Sequence, residues 1–414
     1  MTIAEGVSSR VVYKANSSGV MTAGTLADTS TIPGSSGGRI LRRVASSLNF
    51  RRNSYAAQEI RTDRQEVDFR LGTGHVEGDI SGELSMATYF DFLEAVHRDT
   101  KTSAVTLGAS ALTSVAASHS GSTITFGGGD PVSSGLFVGD VFRLTGASVS
   151  ANNSQNFTII SFGGTSNRTV TVYPAPTDMS ADTSFTVTRP GKATIIPSSS
   201  HVSRLFTFEH YASDLDYAQL FIENRVTKYA LNLPATGLAT IAVSAMGRWA
   251  YDLTGGSAPY FTAPSSETTT GIAAAVNGIL FVSGTQSGIV TGVTLTNEMA
   301  PQAGEVVGQN FPAEIALGHN MVTGQVTAFL DGSTIPALFK AETEASLLIG
   351  LDATSAADTP TMKIFLPRIK FTASDTPLQG EGLQSVTAPF RALKYTGSTA
   401  GYPASTIRIV DTEA

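Results

Sequence analysis

The sequence predicts a mainly β protein: two α+β units in tandem, each with one short helix, and a further β domain inserted into the first. Three observations predict it. Charged residues are only 15% and apolar residues 41% of the 414, while 40 glycines and abundant Ser and Thr favour short strands and turns. Brief β-type runs punctuated by turn residues recur along the chain. A strand followed by a helix also occurs twice at fixed spacing, in a chain too long for one ordinary core.

Residues 1–40 end in Pro33-Gly34-Ser35-Ser36-Gly37-Gly38 and are expected to form an arm with little structure of its own. The first unit is assigned to 41–103 and 201–254. It opens with an apolar and basic stretch and a polar run at 51–70. Residues 75–84 then alternate strictly, with Val76, Gly78, Ile80, Gly82 and Leu84 on one face. His75, Glu77, Asp79, Ser81 and Glu83 take the other. Thr88 is expected to cap a helix in which Tyr89, Leu93 and Val96 recur at helical spacing, ending near Asp99. From 104 to 200 short runs such as Thr123-Ile124-Thr125-Phe126 indicate a separate β domain. Strands resume at 205–210, 225–233 and 238–245. A Ser/Thr/Pro/Gly linker covers 255–271, and a second β-rich unit with one helix covers 272–395. Residues 396–414 are expected to be a polar tail with one strand at 406–410.

Shifting the chain by 246 residues places Glu59 on Glu305, Leu71-Gly72 on Leu317-Gly318, Val76 on Val322 and Gly78 on Gly324. The same shift puts Ile80 on Val326, Leu84 on Leu330 and Thr88 on Thr334. A second block matches at a shift of 143, with Arg225-Val226 on Arg368-Ile369 and Pro234 and Gly237 on Pro377 and Gly380. The two shifts leave 103 extra residues in the first copy, close to the separate β domain.

Several classes of function are excluded or disfavoured. Net charge is −7, from 27 Lys plus Arg against 34 Asp plus Glu, which argues against a basic nucleic-acid-wrapping protein. The absence of cysteine excludes disulfide frameworks, thiolate metal sites and cysteine nucleophiles. No run approaches 18 apolar residues and residues 1–10 lack signal-peptide character, so neither a spanning helix nor a leader is expected. Gly34-Ser35-Ser36-Gly37-Gly38 fits the nucleophile-elbow pattern but lacks the strand before and helix after that an elbow needs. Gly127-Gly128-Gly129-Asp130 lacks the lysine of a phosphate loop. The six histidines never take a metal-ligand spacing. No catalytic residue, metal or cofactor is therefore assigned. Glu59, Arg61, Asp63 and Arg64 form a mixed-charge cluster, either a solvated loop or a subunit contact in which charge pairs fix register.

The ordered series Glu59-Ile60-Arg61-Thr62-Asp63-Arg64-Gln65, Gly78-Asp79-Ile80-Ser81-Gly82-Glu83-Leu84 and Phe92-Leu93-Glu94-Ala95 resembles the tail tube proteins of long-tailed bacteriophages. Phe206-Thr207-Phe208-Glu209, Leu366-Pro367-Arg368-Ile369-Lys370-Phe371 and Ala388-Pro389-Phe390-Arg391 extend the similarity. It spans about 50–100 and 203–395, leaving out the arm and the insert. The resemblance implies a non-enzymatic virion protein of a long flexible tail, assembled in the host bacterial cytoplasm. Its tube units would have β-barrel or sandwich form, and the insert would be an immunoglobulin-like decoration on the outer wall. Rings would stack into the conduit for DNA ejection, three chains closing a pseudo-hexameric ring. Partners implied are further copies of the chain, tape measure, tail terminator and distal tail proteins, and phage DNA passing without specific binding; no membrane insertion is implied. Glu77, Asp79, Ser81 and Glu83, with Thr323, Gln325 and Thr327 of the second copy, would face the lumen. Glu59, Arg61, Asp63, Arg64 and Glu305 would lie at subunit and ring contacts. The competing reading is a surface-binding β protein, an adhesin or carbohydrate-binding module, which the duplicated unit with its arm suits less well.

Overall fold

A computed structural model describes residues 3–16, 33–60, 62–287, 290–330, 334–377 and 382–414. The chain is mostly strand, arranged in two sheets, neither closed into a barrel among the described residues.

The larger sheet follows from the alternating segments. Its continuous antiparallel run begins with the hairpin Asn49–Ala56 and Phe69–Glu83 and passes to Thr240–Gly247. The C-terminal half of the long strand Tyr217–Pro234 comes next, and it pairs on its far edge with Val290–Gly304. Glu314–Phe329, Ser385–Ala392 and the end of Thr361–Phe371 complete the run. Long strands bend out of this run into a second layer. In the first unit that layer holds Ser9–Ala15, Phe206–Ala212, the first half of Tyr217–Pro234 and Trp249–Thr254. In the second it holds Ala345–Asp352, the first part of Thr361–Phe371, Arg408–Asp411 and Lys192–Ile195.

Between the layers lies one core shared by both units. Val76, Ile80, Leu231, Val243, Leu295 and Val326 from the continuous run meet Phe208, Phe221, Leu347 and Ile364 from the layer behind. Each such fully buried side chain stabilises the fold by roughly 1.5–3 kcal/mol. Helix Phe90–His97 buries Phe92, Leu93 and Val96 in this core. Its cap differs from expectation. Tyr89 holds the N-cap position without a side-chain capping bond, its hydroxyl donating instead to the Arg42 carbonyl, while the Thr88 hydroxyl is engaged by the hydroxyls of Ser85 and Thr268. The helix of the second unit is Thr334–Lys340.

The repeat is visible in the registers, with two corrections. Asn49 opposite Glu77 matches Thr296 opposite Thr323, a shift of 247 on the first arm of the hairpin and 246 on the second. The first hairpin turn is therefore one residue longer, and Glu305 corresponds to Gln58 rather than Glu59. The later block superposes at 145, not 143: Arg225–Met246 and Ala230–Ala242 match Lys370–Arg391 and Asp375–Thr387. Gly78 and Gly324, paired by the repeat, both need the absence of a side chain. A Cβ would approach the backbone oxygen of Ser47 to 2.5 Å at Gly78, and that of Thr294 to 2.4 Å at Gly324.

Both chain ends depart from expectation. Ser9–Ala15 is a strand paired with Phe206–Ala212, with Val11, Val12 and Tyr13 buried, because Val-Val-Tyr carries β-forming apolar bulk into the first unit's core. At the other end the strand expected at 406–410 is present as Arg408–Asp411, but it is fully buried between Lys192–Ile195 and Thr361–Phe371 rather than lying in a polar tail.

The strands from Val105–Gly108 to Thr186–Arg189 form the second, eight-stranded sheet around their own core. Its ladder runs through all eight strands, with Val141–Thr145 joining Phe157–Gly163 on one side to Thr186–Arg189 on the other. Although it branches from the first unit, this domain packs on the second. Phe281, Leu348 and Phe365 of the second unit belong to its core. Asp140 accepts bonds from Arg408 at 2.7 and 3.0 Å and lies 3.5 Å from Arg189, all three side chains being buried.

Candidate functional site

The strand alternation that buries one face of the continuous run presents the other as a single polar surface. On Phe69–Glu83 that face carries Glu77, Asp79, Ser81 and Glu83, whose cross-strand partners are Met246, Ser244, Ala242 and Thr240. Ser244, Ala242 and Thr240 lie opposite Lys228, Ala230 and Asn232. These in turn face Glu298, Thr296 and Thr294, and Thr296 and Thr294 meet Thr323 and Gln325. Thr323, Gln325 and Thr327 finally oppose Arg391, Pro389 and Thr387. The seven residues grouped by sequence therefore share one surface that crosses both units without a break.

Sequence reasoning missed the middle of this face. Lys228, Ser244, Thr294, Thr296, Glu298 and Arg391 belong to it, and the period-two pattern of their strands was the signal that could have found them. Its charge is mixed rather than uniformly acidic. Arg51 Nε lies 2.9 Å from Glu77, His75 is 3.4 Å from the same carboxylate, and Lys228 Nζ is 3.7 Å from Glu298. Asp79 and Glu83 remain the acidic excess on the first unit. No group of three or more His, Asp or Glu is placed to hold a metal, and no helix is long and apolar enough to cross a membrane, among the described residues.

The expected contact cluster is at the tip of the first hairpin. Glu59, Asp63 and Arg64 lie there exposed, Asp63 accepting the Gln65 N–H at 3.3 Å; Arg61 lies outside the described residues. Glu305 is at the tip of the second hairpin, where it accepts a bond from Asn53 Nδ2 at 3.1 Å. The sequence repeat thus set one hairpin tip beside the flank of the other.

That second tip is docked on the first unit. Phe311 is buried beside Val12, Leu220, Ile222 and Phe261. Arg248 lies over the Phe311 ring, donates to the Pro312 carbonyl at 2.7 Å and pairs with buried Glu223 at 2.8 Å. Gly74 donates its N–H to the Asn310 carbonyl at 2.8 Å. Glu314 pairs with Arg225 at 3.1 Å, where desolvation pulls the Arg225 pKa down and the Glu314 charge raises it. The edge pairing of Lys228–Pro234 with Gly292–Glu298 completes the junction.

The first hairpin has the same construction and, among the described residues, no such cover. Ile315 is 1% exposed, whereas its counterpart Phe69 is 55% exposed; Tyr55, Ile60, Val67 and Leu71 are exposed beside it. What the arrangement offers chemically is an unfinished sheet edge, an uncovered apolar hairpin and a continuous polar face.

The sequence model of the phage tail tube protein family matches residues 6–392. No curated protein matches the chain.

Proposed function

Because this chain belongs to the phage tail tube protein family, a family of structural virion components that self-associate and meet other tail proteins, we propose that it polymerises into stacked rings forming the conduit for DNA ejection. The observation that carries this reading is the single polar face crossing both units from Glu77 to Thr387. A structural polymer needs such a face to line a channel, and an edge at each end to continue the sheet.

Two units per chain favour three chains per ring, with pseudo-sixfold symmetry. Glu77, Asp79, Ser81, Glu83, Thr323, Gln325 and Thr327 then line the lumen. Glu59, Arg61, Asp63, Arg64 and Glu305 take part in contacts between copies, within a ring or to the ring stacked on it. Tape measure, tail terminator and distal tail proteins are the other partners, and assembly takes place in the host cytoplasm. DNA carries a charge every ~1.7 Å of its axis, so a basic wall would hold phosphates whereas Asp79 and Glu83 repel them weakly. That repulsion reaches only about 8–10 Å at physiological salt.

Negative-stain microscopy of the purified protein should show rings or tubes with three chains per turn. True sixfold symmetry with one unit per chain lining the channel would refute the trimer. In particles carrying Glu77→Lys, Asp79→Lys and Glu83→Lys, tubes should assemble and genome ejection should slow; unchanged ejection kinetics would remove these carboxylates from the lumen.

A further inference from the structure

The junction between the two units inside one chain is a complete specimen of a contact that the chain ends leave half-made. Lys228 opposite Glu298, Ala230 opposite Thr296 and Asn232 opposite Thr294 define its register. The strand equivalent to Tyr217–Pro234 in the second unit, Thr361–Phe371, ends at Phe371, but the chain runs on beside Ser385–Ala392 over 372–377, where Thr372 bonds to Pro389 and Asp375 forms an isolated bridge with Thr387, on one edge only among the described residues. The strand equivalent to Val290–Gly304 in the first unit is Asn49–Ala56, which among the described residues pairs only with Phe69–Glu83. One open edge therefore has the build of each half of the junction.

We infer that the edge at 373–377 of one copy pairs antiparallel with the edge at 47–51 of a second copy, Ala373 opposite Arg51, Asp375 opposite Asn49 and Pro377 opposite Ser47. The register follows by carrying the internal pairs through the observed shifts of 145 and 247. It deepens the ring reading, on which it rests, by naming which strand meets which and in what alignment. Three further features fit it. Asp375 comes to lie diagonally across from Arg51, within reach of a charge pair where the internal junction has Lys228 with Glu298. Asp68, the counterpart of Glu314, is brought to Lys370, the counterpart of Arg225. The uncovered apolar residues Tyr55, Phe69 and Leu71 then gain the cover that Ile315 already has. A contact of this head-to-tail kind closes into a ring when its rotation divides the circle.

The chain has no cysteine, so engineered pairs report cleanly. Asn49→Cys with Asp375→Cys should give disulfide-linked oligomers under mild oxidation of assembled protein, since directly opposed strand residues meet the Cα separation of roughly 4.4–6.8 Å a disulfide needs. The equivalent internal pair, Ala230→Cys with Thr296→Cys, should close within one chain and leave its mass unchanged. Linkage of the slipped pair Asn49→Cys with Ala373→Cys in place of the aligned one, in protein that still forms rings, overturns the register and leaves the ring reading standing. Absence of rings from the unmodified protein overturns both. Charge exchange supplies an independent check: Asp68→Lys or Lys370→Asp alone should raise the concentration needed for assembly, and the two together should bring it back. Equal behaviour of all three variants and the parent would contradict the assigned contact.

Discussion

The two hairpins, Asn49–Ala56 with Phe69–Glu83 and Val290–Gly304 with Glu314–Phe329, follow the same course in opposite surroundings. The second is pressed against the first unit, with Ile315 and Phe311 buried and Glu314 held by Arg225. The first carries Phe69, Leu71 and Tyr55 into solvent. A duplicated fold supplies its own control: a position buried in one copy and exposed in the other marks a surface whose neighbour is absent from the single chain. The units differ again in what they carry. The inserted domain branches from the first but is bolted to the second through Asp140, Arg408 and Arg189. It covers Phe281, Leu348 and Phe365, so a domain that branches from one unit shares its core with the other.

The largest effect is expected at that bolt. Asp140→Ala leaves Arg408 and Arg189 buried side by side with no counter-charge. Removing one partner of a buried pair typically costs about 3–5 kcal/mol. Urea unfolding should show the loss, and a change below about 1 kcal/mol would mean that water or another group replaces the carboxylate. The same argument bears on the insert as a whole. Cutting out 104–197 also removes Lys192–Ile195, a strand of the main sheet, and strips Phe365. Removal of 105–189 is the gentler test of whether tubes form without it.

The hairpins give the next effect and the sharpest contrast. Ile315→Ala empties a closed site and should destabilise the monomer by about 2–5 kcal/mol, as buried Ile truncations do. Phe69→Ala, at the matching position, should leave monomer stability within about 0.5 kcal/mol and impair assembly instead. Equal unfolding curves for the two variants would break the comparison on which the copy-to-copy contact rests.

Much of this contrast was beyond the sequence, for identifiable reasons. The alternation at 75–84 and its echo near 322–330 stood out because a sheet with one buried face writes its period directly into the residues. The later block slid by two positions, 143 in place of 145, because a two-residue slip keeps every side chain on its own face and only a one-residue slip is penalised. Val11, Val12 and Tyr13 were overlooked inside a Ser/Thr/Gly-rich stretch, although two β-branched residues beside an aromatic are a strand signal. Asp140 and Arg408 are 268 residues apart, and no local pattern joins them. The polar face was legible strand by strand. Its continuity depended on the pairing of Lys228–Pro234 with Gly292–Glu298, a tertiary fact.

The smallest expected effect separates the units by acidity. His97, at the end of the first helix, is wholly buried between the hydroxyls of Tyr229 and Thr194, 2.9 and 3.2 Å away, and burial pushes its pKa down to about 3. His210 is held down to about 4 by burial and, less strongly, by the Arg43 guanidinium. Their counterparts in the second unit are Thr343 and Ile349, which do not titrate. Between pH ~6.5 and the folded values, the unfolded chain binds a proton at each histidine and the folded chain does not, so stability falls with acid by about 1.4 kcal/mol per pH unit per group. Asp411, in the strand attached to the second unit, works the other way. Burial raises its pKa to about 6, so on acidification the folded form takes up a proton before the unfolded form does, and stability rises. From pH 6 to about 4 the two imidazoles outweigh the single carboxyl, leaving a net loss concentrated in the first unit. Hydrogen exchange at pH 5 against pH 7, corrected for intrinsic rates, should therefore loosen Phe206–Ala212 and Phe90–His97 before Ala345–Asp352. His97→Gln should flatten part of the slope while the second unit keeps its protection. Uniform loosening of both units, or an unchanged slope in that variant, would show that the acid response lies elsewhere than in the two buried imidazoles.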